Sequence, residues 1–213
     1  MGDTPFFHLE KHPPVAWVRL NRPDKKNAMT PRAWSELPGL FAGLDADADL
    51  RVIVIAGAGD GFCAGIDLTA MIEAVPELAE PDQSGAVKWR LLERIAALQD
   101  AVTAVERCRK PVIASVHGFC IGAGLDLAAA CDIRVCSSEA VFRLKEAAMG
   151  MVADLGALQR LPGIVGQGIA REMAFTAAPV SAERAKAVGL VSEVFASIQP
   201  DTSWLLSLPS KRP

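Results

Sequence analysis

Two short apolar runs rich in β-branched residues, 52–56 (VIVIA) and 111–116 (PVIASV), constrain this chain more than any other feature. Neither alternates polar with apolar positions, so each reads as a strand covered on both faces, the habit of parallel sheets. Each runs into a glycine-rich turn and then a helix-forming segment. Residues 15–21 (VAWVRLN) form a third strand, closed by a turn at Arg22-Pro23-Asp24. Thr30-Pro31 places an N-cap and a first-turn proline at the start of a helix reaching to about Leu44, with Pro38 inside it. A long helix is expected over 86–108, with Trp89, Leu92, Ile95, Ala96 and Leu98 near helical spacing, after a mobile loop at 76–85. Short strands at 132–136 and 141–144 and helices at 125–130, 155–165, 168–176 and 182–188 complete an alternating pattern, which indicates the α/β class.

Composition narrows the function classes. The 213 residues, 51% hydrophobic and 22% charged, describe a folded domain and not a disordered chain. A net charge of −3, without Lys/Arg clusters, argues against a nucleic-acid partner. No apolar run reaches the roughly 18 residues that a membrane span needs, so no membrane partner is expected. Cys63, Cys108, Cys120, Cys131 and Cys136 have neither CxxC nor Cys/His ligand spacing. They read as small buried hydrophobes in a reducing cytosol, and no metal site is expected. The first residues lack the pattern of a secretory or transit peptide, and the final KRP is not a peroxisomal SKL-type address, so the expected location is cytoplasmic.

The glycine turns are 62–67 (FCAGID) and 117–124 (HGFCIGAG). Neither fits a dinucleotide fingerprint or a phosphate loop. Taken singly, each is a tight turn. As a pair at two helix N-termini, they can aim two backbone N–H groups at one oxygen, an oxyanion hole made without side chains. Three carboxylates follow: Asp126, Glu146 and Asp154. Asp126 also reads as a first-turn helix charge, Asp154 as an N-cap and Glu146 as an ordinary exposed residue. Yet Asp126 and Asp154 lie in apolar stretches (GAGLDLAAA and AMGMVADLGAL), and buried carboxyls with raised pKa are what proton transfer uses.

These pieces resemble the enoyl-CoA hydratase/isomerase (crotonase) family. The matching segments are RPDKKNAMT (22–30), VIVIAGAGDGFCAGIDL (52–68), 110–150 and AERAKAVGLVSEVF (182–195), in the family's order. The resemblance implies a crotonase-like spiral of ββα units with C-terminal helices, an acyl-CoA thioester substrate, no cofactor besides the coenzyme A of the substrate, and a homotrimer or dimer of trimers. By family position the oxyanion N–H groups come from Ala64 and Ala123, where Ala123 replaces the commoner Gly. The coenzyme A path is lined by Ala64, Gly65, Ile66, Asp67, Leu68 and Gly124, with Asn27 and Ala28 bordering the adenine. The catalytic domain spans 1–195. Residues 196–213 form an atypical tail in place of the usual trimerisation helices, so a weakened assembly is expected.

Within that family the acids decide the chemistry. Hydratases carry glutamates at the positions of Asp126 and Glu146 and usually Gly at that of Asp154. The Asp–Glu–Asp set here is similar to the Δ3,5-Δ2,4-dienoyl-CoA isomerase subgroup, although Ala148 departs from its KEVD-type run. The resemblance thus implies isomerisation of 3,5-dienoyl-CoA to 2,4-dienoyl-CoA. A hydratase acting on 2-enoyl-CoA and a non-catalytic scaffold subunit are the alternatives.

Overall fold

The computed structural model describes residues 5–75, 77 and 84–197. The expected mobile loop at 76–85 and the atypical tail at 196–213 fall almost wholly outside the described residues. A six-stranded sheet has the order β1 (Phe7–His12), β2 (Val15–Leu20), β3 (Val52–Gly57), β4 (Val112–Val116), β6 (Ile133–Ser137) and β9 (Glu193–Phe195). Only β1 is antiparallel to its neighbour. All six residues of β3 and all five of β4 are buried, as their unbroken apolar runs require. Alternate residues of the strands serve two faces. Ile53 and Ile55 join the main core, while Val52 and Val54 join Val15, Ile113 and Val135 on the other side.

Helix α1 (Pro31–Ala46) covers the main face with Trp34, Leu37, Phe41 and Leu44. Thr30 caps it by accepting the Ala33 N–H at 3.2 Å, and the helix continues through Pro38. Helix α3 (Gly85–Glu106) buries Ala101, Val102 and Val105 near its C-terminal end, where it packs on α1 and α4 (Ala123–Ala130). Of the apolar stripe expected nearer its start, Leu98 packs against the core, whereas Trp89 is 64% and Leu92 58% exposed. No helix among the described residues is long and apolar enough to cross a membrane.

The spiral is visible in two successive turns. β4, β5 (Phe119–Ile121) and α4 form one ββα unit; β6, β7 (Val141–Arg143) and α5 (Ala157–Thr176) form the next. In each unit the first strand extends the large sheet, and β5 and β7 pair in parallel in a small second sheet completed by β8 (Val180–Ser181). Two helices were expected between 155 and 176, and the chain breaks between them at Gly166, whose φ is +80°. The helix expected after the first glycine turn is α2 (Leu68–Ala74), begun by an Asp67 side chain that accepts the Ala70 N–H. Helix α6 (Ala182–Ala187) starts at Ser181 in the same way.

Candidate active site

The two glycine turns lie against each other. Cys63 and Cys120 face one another in an isolated parallel bridge, and Ile121 N–H donates to the Cys63 carbonyl at 2.9 Å. A Cβ on Gly124 would stand 2.7 Å from the Cys63 carbonyl oxygen. Gly124 is thus buried scaffold that permits the approach, not an open lining residue.

The hydrogen bonds decide which N–H groups remain for a ligand. In the second turn, Ile121 and Gly122 donate to Cys63 and Arg143, and Leu125 and Asp126 to Gly122. Ala123, the first residue of α4, has no acceptor among the described residues, as helix geometry dictates for that position. The N–H expected as a donor at Ala123 is therefore left free among the described residues. The one expected at Ala64 is spent, because it donates to the Lys26 carbonyl at 3.0 Å. From Phe62 to Asp67 every N–H has an acceptor among the described residues except that of Ile66. The cause is a parallel bridge between Met29 and Ile66. In it Met29 N–H donates to Gly65 O and Asp67 N–H to Met29 O, which turns Ile66 N–H away from that strand. Gly65 adopts φ +105° between them, and a Cβ there would sit 3.6 Å from Ala123 N. Ile66 and Ala123, two donors without an acceptor among the described residues, thus flank one glycine.

The carboxylates gather beside this point. A Cβ on Gly122 (φ +53°) would meet Glu146 Oε1 at 2.9 Å, so Glu146 lies against the residue before the Ala123 donor. Its other oxygen, Oε2, is buried without a partner among the described residues. Asp126, 1% exposed, accepts the Ala157 N–H at 2.6 Å. Burial pushes Asp126 up to about 7, with the Glu146 and Asp154 charges adding and the Ala157 N–H opposing. Burial also raises Glu146, and Asp154 adds to that shift. Asp154 is the exposed member, raised by partial desolvation. It lines a polar cavity of about 410 Å³ with Gln99, Thr103, Glu106 and Arg160, and its backbone carbonyl accepts Gln99 Nε2–H at 2.6 Å. It is not a helix cap: the N-cap of α5 is Gly156, which has no side chain to offer.

Of the residues expected on the coenzyme A path, Leu68 is exposed and Ala28 half-buried. Asp67 is tied to Arg22 at 2.6 Å, which holds its carboxyl below the usual range. Asn27 is corrected as a border of the adenine. It is fully buried, its Nδ2 donates to Ala58 O (2.8 Å) and Gly61 O (2.9 Å), and its Oδ1 accepts Arg22 N–H (2.9 Å). No part of its amide is left to meet a ligand. Ile66, expected only as a lining residue, emerges as a donor. The alternation of bonded and unbonded N–H groups around Gly65 was not readable from residue types.

Residues 10–207 match the family model described as enoyl-CoA hydratase/isomerase. A peroxisomal Δ3,5-Δ2,4-dienoyl-CoA isomerase of Arabidopsis thaliana is 47% identical over 195 residues, covering 92% of this chain and 67% of that protein. The mitochondrial isomerase of that name from Homo sapiens is 46% identical over 198 residues, covering 92% of this chain and 58% of that protein. The chain therefore spans about three fifths to two thirds of the length of these relatives. Among solved structures, a candidate enoyl-CoA hydratase of Thermobifida fusca YX in complex with acetoacetyl-CoA superposes with a TM-score of 0.82 at 32% identity, covering 96% of this chain and 82% of that one. The names of the two isomerases overturn the cytoplasmic expectation, since they are peroxisomal and mitochondrial proteins. Buried free thiols call only for reducing surroundings, and the cytosol is one of several such places.

Proposed function

Because this chain belongs to the enoyl-CoA hydratase/isomerase family, we propose that it binds an acyl-CoA thioester and isomerises a 3,5-dienoyl-CoA to the 2,4-dienoyl-CoA in fatty-acid metabolism. The observation that carries this reading is the Glu146 carboxylate seated against Gly122, beside two unengaged N–H groups, with the Asp154 charge raising the proton affinity of both Glu146 and the buried Asp126. The relatives named as dienoyl-CoA isomerases support the reaction, and the acetoacetyl-CoA complex of the Thermobifida protein supports the thioester class.

In this reading the thioester oxygen accepts from Ile66 N–H and Ala123 N–H. A carboxylate, Glu146 or Asp154, removes a proton from C2. The electron pair spreads over the carbonyl and both double bonds, and the charge collecting on oxygen is stabilised by about 3–4 kcal/mol per donor. The other carboxyl, protonated, delivers its proton to C6, and the double bonds move to positions 2 and 4. Base and acid end with their protonation states exchanged, and solvent resets them. Raised proton affinities suit this task, because one group must be charged while its neighbour stays neutral. Asp126 holds the start of α5 by accepting the Ala157 N–H, and its own proton affinity is raised by burial and by the charges of the other two. The chemistry so proposed needs no resident cofactor, since coenzyme A belongs to the substrate. We assign residues 1–195 to one catalytic domain and propose a homotrimer or dimer of trimers. Exposed Phe175, Val152 and Met151 support burial against other copies.

The test is to incubate the purified protein with a 3,5-dienoyl-CoA and, separately, a 2-enoyl-CoA, following absorbance and product mass. A conjugated 2,4-diene of unchanged mass is expected from the first. Mass gain by one water from the second, with no diene shift from the first, returns the reading to a hydratase.

A further inference from the structure

We propose that Asn27 is a positioning residue for the Ile66 N–H donor: it holds segment 22–29 as a splint along the first glycine turn and touches no substrate itself. The inference rests on the reading of Ile66 N–H as a ligand of the thioester oxygen. The splint is dense. Lys26 O accepts the Ala64 N–H, Asn27 O accepts the Cys63 thiol at 3.2 Å, and Met29 exchanges two backbone bonds with Gly65 and Asp67. The Asn27 amide fastens the remaining stretch of the loop by donating to Ala58 O and Gly61 O. Its Oδ1 closes the segment on itself by accepting Arg22 N–H, while Arg22 Nη1 reaches Ala28 O and Asp67 Oδ2. Consecutive bonds on either side of Ile66 fix its peptide plane, so its N–H direction is set before any ligand arrives. A donor aimed at developing charge works only if it needs no reorganisation. Asn27 also sits at φ +54°, a conformation that asparagine tolerates and most residues do not.

Asn27→Gly is the variant of choice, since glycine keeps the positive φ without strain and deletes only the amide. The probe is hexanoyl-CoA carrying carbon-13 at the thioester carbonyl, a saturated ligand on which the proposed reaction cannot proceed. Bound to the wild type, its carbonyl stretch should lie below the free value, because two donors polarise it. In Asn27→Gly that displacement should shrink and kcat should fall about 10- to 100-fold, with the Kd for coenzyme A within twofold. A carbonyl displacement equal to wild type, with kcat unchanged and only the melting temperature lowered, would reduce Asn27 to scaffold and overturn the proposal. A Kd for coenzyme A that rises in step with the fall in kcat would also overturn it, by making Asn27 a contact of the coenzyme. No displacement in the wild type would instead refute the donor reading itself. If Asn27→Gly does not fold, Asp67→Asn tests the other end of the splint. It keeps an acceptor for Ala70 N–H, loses the Arg22 ion pair, and should give a smaller change of the same sign.

Discussion

Asp126 Oδ1 accepts the N–H of Ala157 at 2.6 Å, so a carboxyl in the first turn of one helix caps the first turn of the next. The N-cap of α5, Gly156, has no side chain for this task, and Asp126 supplies one from 31 positions away. The geometry keeps a titratable group buried where charge is expensive. Burial pushes its pKa up to about 7, from the 3.8 of an ordinary aspartate. Between those values the unfolded chain gives up the proton and the folded protein keeps it, so this group's contribution to stability is full at low pH and lost as pH rises through 7. Asp126→Asn retains the acceptor for Ala157 and cannot ionise. The stability of the variant minus that of the wild type should be near zero at pH 4 and grow to at most about 4 kcal/mol by pH 8. Urea unfolding of both proteins across that range checks the sign. A difference that shrinks with pH would rule out the raised pKa.

Gly65→Ala should separate turnover from binding. The new methyl group would lie 3.1 Å from Ile121 O and 3.6 Å from Ala123 N at a φ of +105° that L residues rarely adopt. The Ile66 and Ala123 donors cannot keep their mutual placement around it. Loss of one donor's alignment lowers kcat by roughly 10²-fold. Steady-state kinetics with the 3,5-dienoyl-CoA, alongside the Kd for coenzyme A, would register this. The affinity for coenzyme A should change far less than kcat.

Gly122 has a built-in control. Alanine there drives into Glu146 Oε1 at 2.9 Å, whereas alanine at Gly166, also at positive φ (+80°), meets nothing within 4 Å. Both variants should lose about 1–2 kcal/mol of stability from backbone strain. Only Gly122→Ala should lose activity, by tenfold or more, because only it displaces a proton-transfer candidate. Parallel losses of activity in both variants would trace the effect to strain alone.

Asp154→Asn tests proton transfer without a stability penalty. Since Gly156 and not Asp154 caps α5, and Asp154 is exposed, the melting temperature should hardly move. Diene isomerisation should fall 10²–10⁴-fold, the usual contribution of a positioned acid or base. Retention of wild-type turnover would remove Asp154 from the reaction.

The fold was legible where single residues dictate geometry. The unbroken apolar runs of β3 and β4 required two covered faces, and Thr30-Pro31 began a helix. The break at Gly166 fell between the two helices expected there. Short elements escaped. β5 and β8 have too few residues to show a period, and the extent of α2, a helix of seven residues begun by an Asp67 cap, has no periodic pattern to mark it. The stripe of Trp89 and Leu92 had helical spacing but no core to face, because periodicity reports a face and not what covers it.

At the site, the acids and the close approach of the two turns were readable, since glycine and buried carboxyl each carry a physical cost that implies a reason. The identity of the first donor was not. Ala64 and Ile66 stand two apart on the same turn, and only the pairing of Met29 with Ile66 decides which N–H is spent. Asn27 was placed at a ligand for the same reason: a polar residue in a matching loop shows its chemistry in sequence but not the carbonyls that consume it.

The five cysteines carry a practical consequence. All are buried, and burial pushes the Cys63 thiol up to about 12. An alkylating reagent can reach such a thiol only after the surrounding structure opens, so the modification rate of each cysteine is a clock on its own neighbourhood. Cys63 and Cys120 time the separation of the two glycine turns, while Cys136 in β6 times the large sheet. Mass spectrometry of a labelling time course would therefore rank the opening of the catalytic turns against the unravelling of the sheet, with no probe added to the protein.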